Sequence, residues 1–350
     1  MRVTVVGAGA IGGTVGVQLY RGGHDVLLVD RDAAHVATIN CDGFRISGLI
    51  ETTERVPAIV PADLPDLVRD QGQLGMVVLA VKAMDTESAV EQIRPYLAPD
   101  GFIVSYQNGL NEQTIARIVG PERTIGAFVH FGGDLVEPAH VVLANRLKTY
   151  ISELDGSDSE RIQTIAATLS SVTDIEVTTN LEGYLWGKLC YAALGFVVST
   201  VDAPIDEVVM VPEARTAIRG AAAEVIDVAR AAGIELENIH GFEPRELDRR
   251  NPNLIAETDA LFERWAADGK TAIKRHMGIH RDIKVRKRRT EVDFQIAPVV
   301  ERGRALGVPT PACALLVELV HQIEAGTRPQ DWSTIAELSQ MLTADAVTPR

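Results

Sequence analysis

A glycine-rich turn that directly follows a short apolar strand is the feature that most constrains this fold. The run Val3–Val6 predicts a strand, residues 7–12 (GAGAIG) match the pattern G-x-G-x-x-G, and residues 14–19 can continue as a helix. In such a turn the first glycine permits the bend, the second lets the backbone approach a pyrophosphate, and the third allows close packing of helix and strand. The N-terminus of the helix offers N–H groups to the anion. The sequence therefore predicts a dinucleotide site that contains Gly7, Gly9, Ala10, Ile11 and Gly12.

An acidic and a basic residue follow the second predicted strand, Val26–Val29. Asp30 ends this strand about 20 residues beyond the glycines, where a carboxylate can accept hydrogen bonds from the adenosine ribose hydroxyls. Arg31 comes next, and a guanidinium can clamp a ribose 2′-phosphate that a carboxylate would repel. We predict NAD from Asp30, while Arg31 leaves NADP open.

Two further strand ends carry polar residues. Strand-like segments predict a doubly wound sheet with additional strands, at residues 76–81, 102–106, 124–131, 141–145 and 149–154. Lys82 follows the first of these and Asn108, in the run Gln107-Asn108-Gly109, follows the second. Because such sheets bind ligands at the carboxyl ends of their strands, both residues are predicted to face the nicotinamide half of the cofactor and the substrate. Each alone also fits a simpler description, as an exposed loop lysine and an Asn-Gly turn.

Beyond residue 180 the pattern changes to helices. Helix-like segments occupy residues 181–201, 213–232, 252–267, 270–297 and 312–325. We predict a dinucleotide-binding domain over residues 1–180, a helical substrate domain over 181–330 and a peripheral tail over 331–350 with a short helix at 332–342.

Lys188 enters an apolar helix in the run LWGKL (residues 185–189). Partial burial would lower its pKa towards the range in which an ammonium protonates a carbonyl oxygen during hydride transfer. The alternative is a lysine that extends its ammonium out of the packing into water.

Glu291 is the second catalytic candidate. It comes just after the most basic stretch of the chain, residues 274–289, which contains eight Lys or Arg residues. On a continuous helix Glu291 would share one face with Arg288, Lys287, Lys284 and His280. Such a face, with His276 nearby, could hold an anionic substrate. The alternatives are a solvated stripe, a contact with an acidic surface, or a zinc site on His276 and His280, for which no third ligand is identifiable.

Five short motifs, in this order and at this spacing, resemble the ketopantoate reductase family. They are residues 7–12 (GAGAIG), 81–83 (VKA), 107–109 (QNG), 186–189 (WGKL) and 289–293 (RTEVD). The resemblance implies an α/β plus all-α fold: a Rossmann-type doubly wound sheet followed by a helical domain of the 6-phosphogluconate dehydrogenase type. It also implies that Lys188 is the general acid and that Glu291 hydrogen-bonds the substrate hydroxyl. Lys82 and Asn108 would lie by the nicotinamide ribose and the reacting carbonyl.

The chain departs from the family pattern around the substrate. Ala192 and Phe196 stand where asparagines usually follow the lysine by one and two helical turns, and residues 275–280 (RHMGIH) lack the family's carboxylate-binding serine. We therefore predict an NAD(P)-dependent oxidoreductase for a small carboxylated substrate, not optimised for ketopantoate. Two alternatives stay open: an NAD-dependent alcohol or sugar-acid dehydrogenase that works oxidatively, and a non-catalytic dinucleotide sensor.

Charge and cysteine content narrow the partners. Lys and Arg number 34 against 48 Asp and Glu, a net charge of −14, which disfavours nucleic acid. The three cysteines lie far apart without a CxxC, and no signal peptide or membrane-spanning run is apparent, so we expect a reducing cytoplasm, no resident metal and no membrane partner. The expected partner is a small anionic substrate, and a homodimer is compatible with the sequence.

Overall fold

The chain folds into two compact units, Met1–Leu181 and Glu182–Arg350. The computed structural model describes residues 2–270 and 275–347. None of the helices within these ranges is long and apolar enough to cross a membrane.

The first unit alternates strands and helices. Its strands are β1 (Val3–Val6), β2 (Val26–Val29), β3 (Phe44–Gly48), β4 (Thr52–Glu54), β5 (Ala58–Ile59), β6 (Leu74–Leu79), β7 (Leu97–Ser105), β8 (Thr124–Phe128), β9 (Phe131–Glu137), β10 (His140–Arg146), β11 (Thr149–Glu153) and β12 (Ile175–Val177). Its helices are α1 (Ala10–Arg21), α2 (Ala33–Asp42), α3 (Leu64–Gln71), α4 (Thr86–Ile93), α5 (Glu112–Val119) and α6 (Glu160–Leu169).

Eight strands form the main sheet, in the order β12-β11-β8-β7-β6-β1-β2-β5. Neighbouring strands are parallel except β8 and β11. Successive side chains pack on opposite faces: Val5 and Val78 belong to one core cluster, and Val6 and Leu79 to the other. The predicted doubly wound sheet is confirmed. Chain order reverses at β1, which lies between β2 and β6, and ligands bind such sheets beyond the carboxyl ends of strands at this point.

A second, four-stranded sheet in the order β4-β3-β10-β9 was not foreseen from the sequence. The single strand predicted at residues 124–131 is wrong, because β8 ends at Phe128 in the main sheet and β9 begins at Phe131 in the second. The strands β3, β4 and β9 include glycines or exposed polar residues, so they lack the continuous apolar runs of the main sheet.

The second unit is helical, as predicted. Its helices are α7 (Leu181–Ser199), α8 (Ile205–Val208), α9 (Pro212–Ala231), α10 (Leu254–Gly269), α11 (Gly278–Lys284), α12 (Val292–Gln295), α13 (Ala297–Leu306), α14 (Pro311–Glu324) and α15 (Trp332–Val347). The last helix is longer than the predicted tail helix and packs on α9. Ile335 and Leu338 are buried, and Leu342 fills the space beside Gly220.

The continuous helix predicted over residues 270–297 is wrong. Residues 271–274 lie outside the described residues, α11 ends at Lys284, and only the short α12 follows, with Lys287 at a φ of 47° between them. Lys and Arg side chains three and four residues apart on a helix repel one another. In the structure Arg286 and Arg288 both form ion pairs with Asp282 instead. The predicted helix face that Glu291 would share with Arg288, Lys287, Lys284 and His280 is therefore wrong.

Candidate active site

Two glycines of the N-terminal turn are required by the fold itself. Gly7 has a φ of +91°, and a β-carbon there would lie 2.8 Å from the backbone nitrogen of Val81. A β-carbon on Gly12 would lie 1.9 Å from the carbonyl oxygen of Gly7. Both positions therefore exclude a side chain, whether or not a ligand binds.

Gly9 is different. It is the N-cap residue of α1, and a β-carbon built on it meets no protein atom within 4 Å. Ala10 and Ile11, half-buried, begin the helix. The protein therefore gives no packing reason for a glycine here, whereas a pyrophosphate at the helix N-terminus does, so the turn fits a dinucleotide.

Asp30 is anchored beside this turn. Its Oδ2 accepts a hydrogen bond from the N–H of Ala8 at 2.7 Å, and its Oδ1 accepts one from the N–H of Asp32 at 3.0 Å. Arg31 is exposed over 78% of its side chain, and its guanidinium donates to Asp85 Oδ1 at 2.8 Å. The two candidates for selecting the cofactor thus differ. The carboxylate of Asp30 is held at the glycine turn, whereas the guanidinium of Arg31 forms an ion pair at the surface.

Lys82 and Asn108 follow the carboxyl ends of the adjacent parallel strands β6 and β7. Both are half-buried. Gln107, which the motif contained but to which we assigned no role, joins the two loops: its Nε2 donates to the carbonyl of Val81 at 2.9 Å and to Thr86 Oγ1 at 2.8 Å. The structure therefore brings Lys82 and Asn108 to one edge of the sheet and shows what holds their loops together.

Lys188 lies on α7 and is half-buried. Its removal from water lowers the pKa of its ammonium to about 8, and the charge of Glu291 opposes that decrease. The effect of desolvation outweighs the attraction of Glu291, so the pKa of Lys188 stays below that of a lysine in water. Lys188 and Glu291, separated by more than one hundred residues in sequence, therefore act on each other electrostatically.

Glu291 precedes α12 and is only 6% exposed. The N–H of the preceding residue, Thr290, donates to Glu324 Oε1 at 2.7 Å. Upstream, Asp282 is buried, accepts from Arg286 at 3.1 Å and from Arg288 at 2.8 Å, and its carbonyl accepts from the Arg288 N–H at 3.0 Å. These contacts hold together residues 282–288, the basic segment that leads along the chain to Glu291.

His276 and His280 stack with ring centroids 4.2 Å apart. His280 Nε2 lies 2.9 Å from Asp202 Oδ1, and Lys284 Nζ lies 2.6 Å from Asp202 Oδ2. Burial lowers the pKa of His276, and the neighbouring His280 lowers it further. Among the described residues no group of three or more His, Cys, Asp or Glu side chains is arranged to hold a metal ion.

The helix face beyond Lys188 is apolar. Ala192 and Phe196 are buried, and a β-carbon on Gly195 would lie 2.8 Å from the Met277 Cε and 3.5 Å from the Ile279 Cδ1. The segment that lacks the expected serine therefore covers α7 with aliphatic side chains one to two turns beyond the lysine.

Comparison with known families decides the classification. A family profile described as "Ketopantoate reductase PanE/ApbA" matches residues 3–156, and one described as "Ketopantoate reductase PanE/ApbA C terminal" matches residues 180–324. This chain belongs to the ketopantoate reductase family. It is an NAD(P)-dependent oxidoreductase that acts on CH–OH groups.

Individual relatives agree with this classification at low identity. The chain is similar to 2-dehydropantoate 2-reductases of Streptococcus pyogenes (24% identity over 333 residues) and Pyrococcus abyssi (27% over 338), covering 93% of this chain and 98% of each relative. Among solved structures it is similar to a PanE/ApbA family ketopantoate reductase from Ralstonia eutropha, with 26% identity, a TM-score of 0.76 and coverage of 93% and 99% of the two chains. It is also similar to a D-mandelate dehydrogenase solved with NADH and anilino(oxo)acetate, with 23% identity, a TM-score of 0.80 and the same coverage.

Proposed function

We propose that this member of the family interconverts a small 2-oxo acid and its 2-hydroxy acid, that Lys188 is the acid and base, and that ketopantoate is not its preferred substrate. The observation that carries the proposal is the Lys188 ammonium, with its pKa at about 8 and its charge coupled to that of Glu291. A general acid works best when its pKa lies near the operating pH.

The first unit would hold the dinucleotide through Gly7, Gly9, Ala10, Ile11 and Gly12, with Asp30 on the adenosine ribose. The anchored carboxylate of Asp30 and the Arg31–Asp85 ion pair support NAD over NADP. Lys82 and Asn108 would lie at the nicotinamide ribose and the reacting carbonyl. The bound dinucleotide supplies or accepts the hydride.

Proton movement falls to Lys188. In reduction its ammonium meets the negative charge that develops on the carbonyl oxygen, and transfer of the Nζ proton completes the hydroxyl. In oxidation the neutral amine takes that proton back. Glu291 would accept a hydrogen bond from the same hydroxyl and so orient it. Because the pKa of about 8 leaves both forms of Lys188 populated near neutrality, an oxidative dehydrogenase is the second candidate.

The absence of hydrogen-bonding side chains at positions 192 and 196, beyond Lys188 on α7, supports a substrate with a less polar substituent than ketopantoate. The side chains of Ala192 and Phe196 cannot hydrogen-bond a substrate hydroxyl, and Met277, which precedes α11, packs against the same part of α7 at Gly195. The D-mandelate dehydrogenase structure contains an oxo acid with an aromatic group, and such acids are therefore the first alternatives to ketopantoate to test. His276 and His280 would bind the substrate carboxylate.

A panel of 2-oxo acids and 2-hydroxy acids, each assayed with both NAD(H) and NADP(H) at the dihydronicotinamide absorbance band, tests the proposal. We expect aryl- or branched-alkyl-substituted oxo acids to exceed ketopantoate in kcat/KM by about tenfold or more, the value of one or two buried methylene groups. Ketopantoate turned over with a kcat/KM on the order of 10⁶ M⁻¹s⁻¹, within the usual range of good enzymes, would contradict it.

A further inference from the structure

We infer that His35 is a positioning residue for the dinucleotide: its imidazole holds the carbonyl of Ala8 so that the N–H of Gly9 is directed towards the cofactor pyrophosphate. The inference rests on the glycine turn being the pyrophosphate site proposed above. No sequence motif marked this histidine.

The hydrogen bonds of His35 define the state of its ring. His35 lies on α2 and is 3% exposed. The N–H of Ala139 donates to its Nδ1 at 3.0 Å, so Nδ1 carries no proton. The proton is therefore on Nε2, which donates to the carbonyl oxygen of Ala8 at 2.9 Å. One uncharged ring thus connects the glycine turn with the turn between β9 and β10.

Ala8 is fixed on both sides. Its N–H donates to Asp30 Oδ2 at 2.7 Å while its carbonyl accepts from His35. In a planar trans peptide the carbonyl and the following N–H point in opposite directions. With the Ala8 carbonyl turned inward onto His35, the N–H of Gly9 must point away from His35. His35 therefore selects the peptide orientation that an anion at the helix N-terminus requires.

The second sheet supplies the rigidity behind His35. Ala139 has a φ of 56°, which few side-chain-bearing residues adopt, and it places its N–H on the imidazole. Phe44 of β3 packs edge-on against the imidazole, with centroids 5.8 Å apart, and the same ring lies against Gly13 of α1. The unforeseen sheet therefore braces the cofactor turn through the histidine and the phenylalanine.

Substitution of His35 separates positioning from simple stability. His35→Met keeps an apolar side chain of similar length but neither hydrogen bond, and we expect the Kd for NADH to rise about tenfold, the scale of one lost oriented hydrogen bond. His35→Gln can accept from Ala139 and donate to Ala8, and we expect its Kd to lie within about threefold of wild type. In His35→Met the KM for NADH should rise while kcat at saturating NADH stays unchanged.

Asn40→Leu is the matched control. Asn40 lies on the same helix and exchanges two side-chain hydrogen bonds with the backbone of Ala58, at 2.8 and 3.0 Å, but it does not bond the glycine turn. We expect it to lower the free energy of unfolding about as much as His35→Met and to leave the NADH Kd unchanged. The Kd of each variant is measured by titration with NADH, with protein fluorescence as the signal, at a temperature below the unfolding transition of that variant.

Three results would overturn the inference. The first is a folded His35→Met that binds NADH as tightly as wild type. The second is an Asn40→Leu that weakens binding as much as His35→Met, and the third is a His35→Gln that binds as poorly as His35→Met. If His35→Met does not fold, the comparison of His35→Gln with Asn40→Leu still decides, because a Gln variant weaker than the control by tenfold contradicts the inference. Failure of the wild-type chain to bind NADH would instead remove the cofactor site, and the inference with it.

Discussion

The glycine-rich turn and the segment that carries Glu291 differ in whether the residues that support them belong to their own motif. The turn is held largely within its own β1–α1–β2 region, by the hydrogen bonds of Gly7 to Val29 and of Ala8 to Asp30. Glu291 depends on Glu324, on α14, and on the ion pairs of Asp282 upstream. A motif predicts geometry well where the motif itself contains the supporting contacts, and poorly where residues outside the motif complete the site.

The largest expected effects come from substitutions of two glycines in the turn, one of which should affect stability and the other NADH binding. Gly12→Ala places a β-carbon against the Gly7 carbonyl, so we expect a loss of about 3 kcal/mol or more in the free energy of unfolding, measured by denaturant titration. A β-carbon at Gly9 meets no protein atom within 4 Å, so we expect Gly9→Val to leave stability nearly intact and to abolish NADH binding in calorimetric titration. Tight NADH binding by Gly9→Val would mean that the pyrophosphate does not lie at this turn.

The next largest effect tests the chemistry of the second unit. Lys188→Ala should lower kcat by about 10² or more, the range for loss of a positioned general acid, with the NADH Kd unchanged. Lys148→Ala is the control, because that lysine is paired with Glu176 at 2.9 Å and this hydrogen bond helps raise its pKa to about 12. Near-normal turnover by Lys188→Ala would leave Lys188 as a structural residue.

The same difference in support explains how much could be predicted from the sequence. The apolar runs of β1, β2, β6 and β7 predict the central sheet, because each is buried on both faces and needs no distant information. The second sheet was missed because its strands are recognisable only by what they pair with. The break after Lys284 was missed because Asp282 offers Arg286 and Arg288 a buried partner that the helical pattern does not reveal.

For the candidate site the sequence indicated residue types but not their electrostatics. The apolar surroundings of Lys188 suggest a lowered pKa, but its value depends on Glu291, whose position no local pattern gives. Gln107 could have been found, since it lies inside a recognised motif. His35 could not, because its partners Ala8 and Ala139 bond through backbone atoms and leave no trace in side-chain identity.

The pH dependence of kcat/KM tests the role of Lys188 as the acid and base. Because the ammonium is the acid and its pKa is about 8, kcat/KM for reduction should be level below pH 8 and fall about tenfold per pH unit above it. Oxidation should show the opposite, rising with pH to a plateau above 8. Glu291→Gln removes the charge that raises the pKa of Lys188, so the pH at which kcat/KM changes should decrease in both directions of the reaction. If that pH does not change, a group other than Lys188 titrates.

Loss of the Asp282 ion pairs should disturb Glu291 from a distance. Asp282→Asn keeps the shape of the side chain but not its charge, so we expect kcat to fall and the substrate KM to rise, together by about tenfold in kcat/KM. Asp259→Asn is the control, because Asp259 likewise pairs with two arginines, Arg215 and Arg219, in the same unit. Equal losses of activity in both variants would indicate general destabilisation rather than positioning of Glu291.

The smallest expected effect concerns Arg31, the residue that leaves NADP open. Its side chain is 78% exposed and pairs with Asp85 at 2.8 Å, and an exposed ion pair contributes about 1 kcal/mol or less. If Asp30 selects NAD, Arg31→Ala should change the NADH Kd by less than about twofold and leave NADPH the weaker ligand. If Arg31 instead leaves Asp85 to bind a 2′-phosphate, its removal should weaken NADPH by about tenfold or more while NADH binding is unaffected. That second result would reverse the cofactor assignment and would show that a surface side chain, free to exchange partners, sets the selectivity of an otherwise rigid turn.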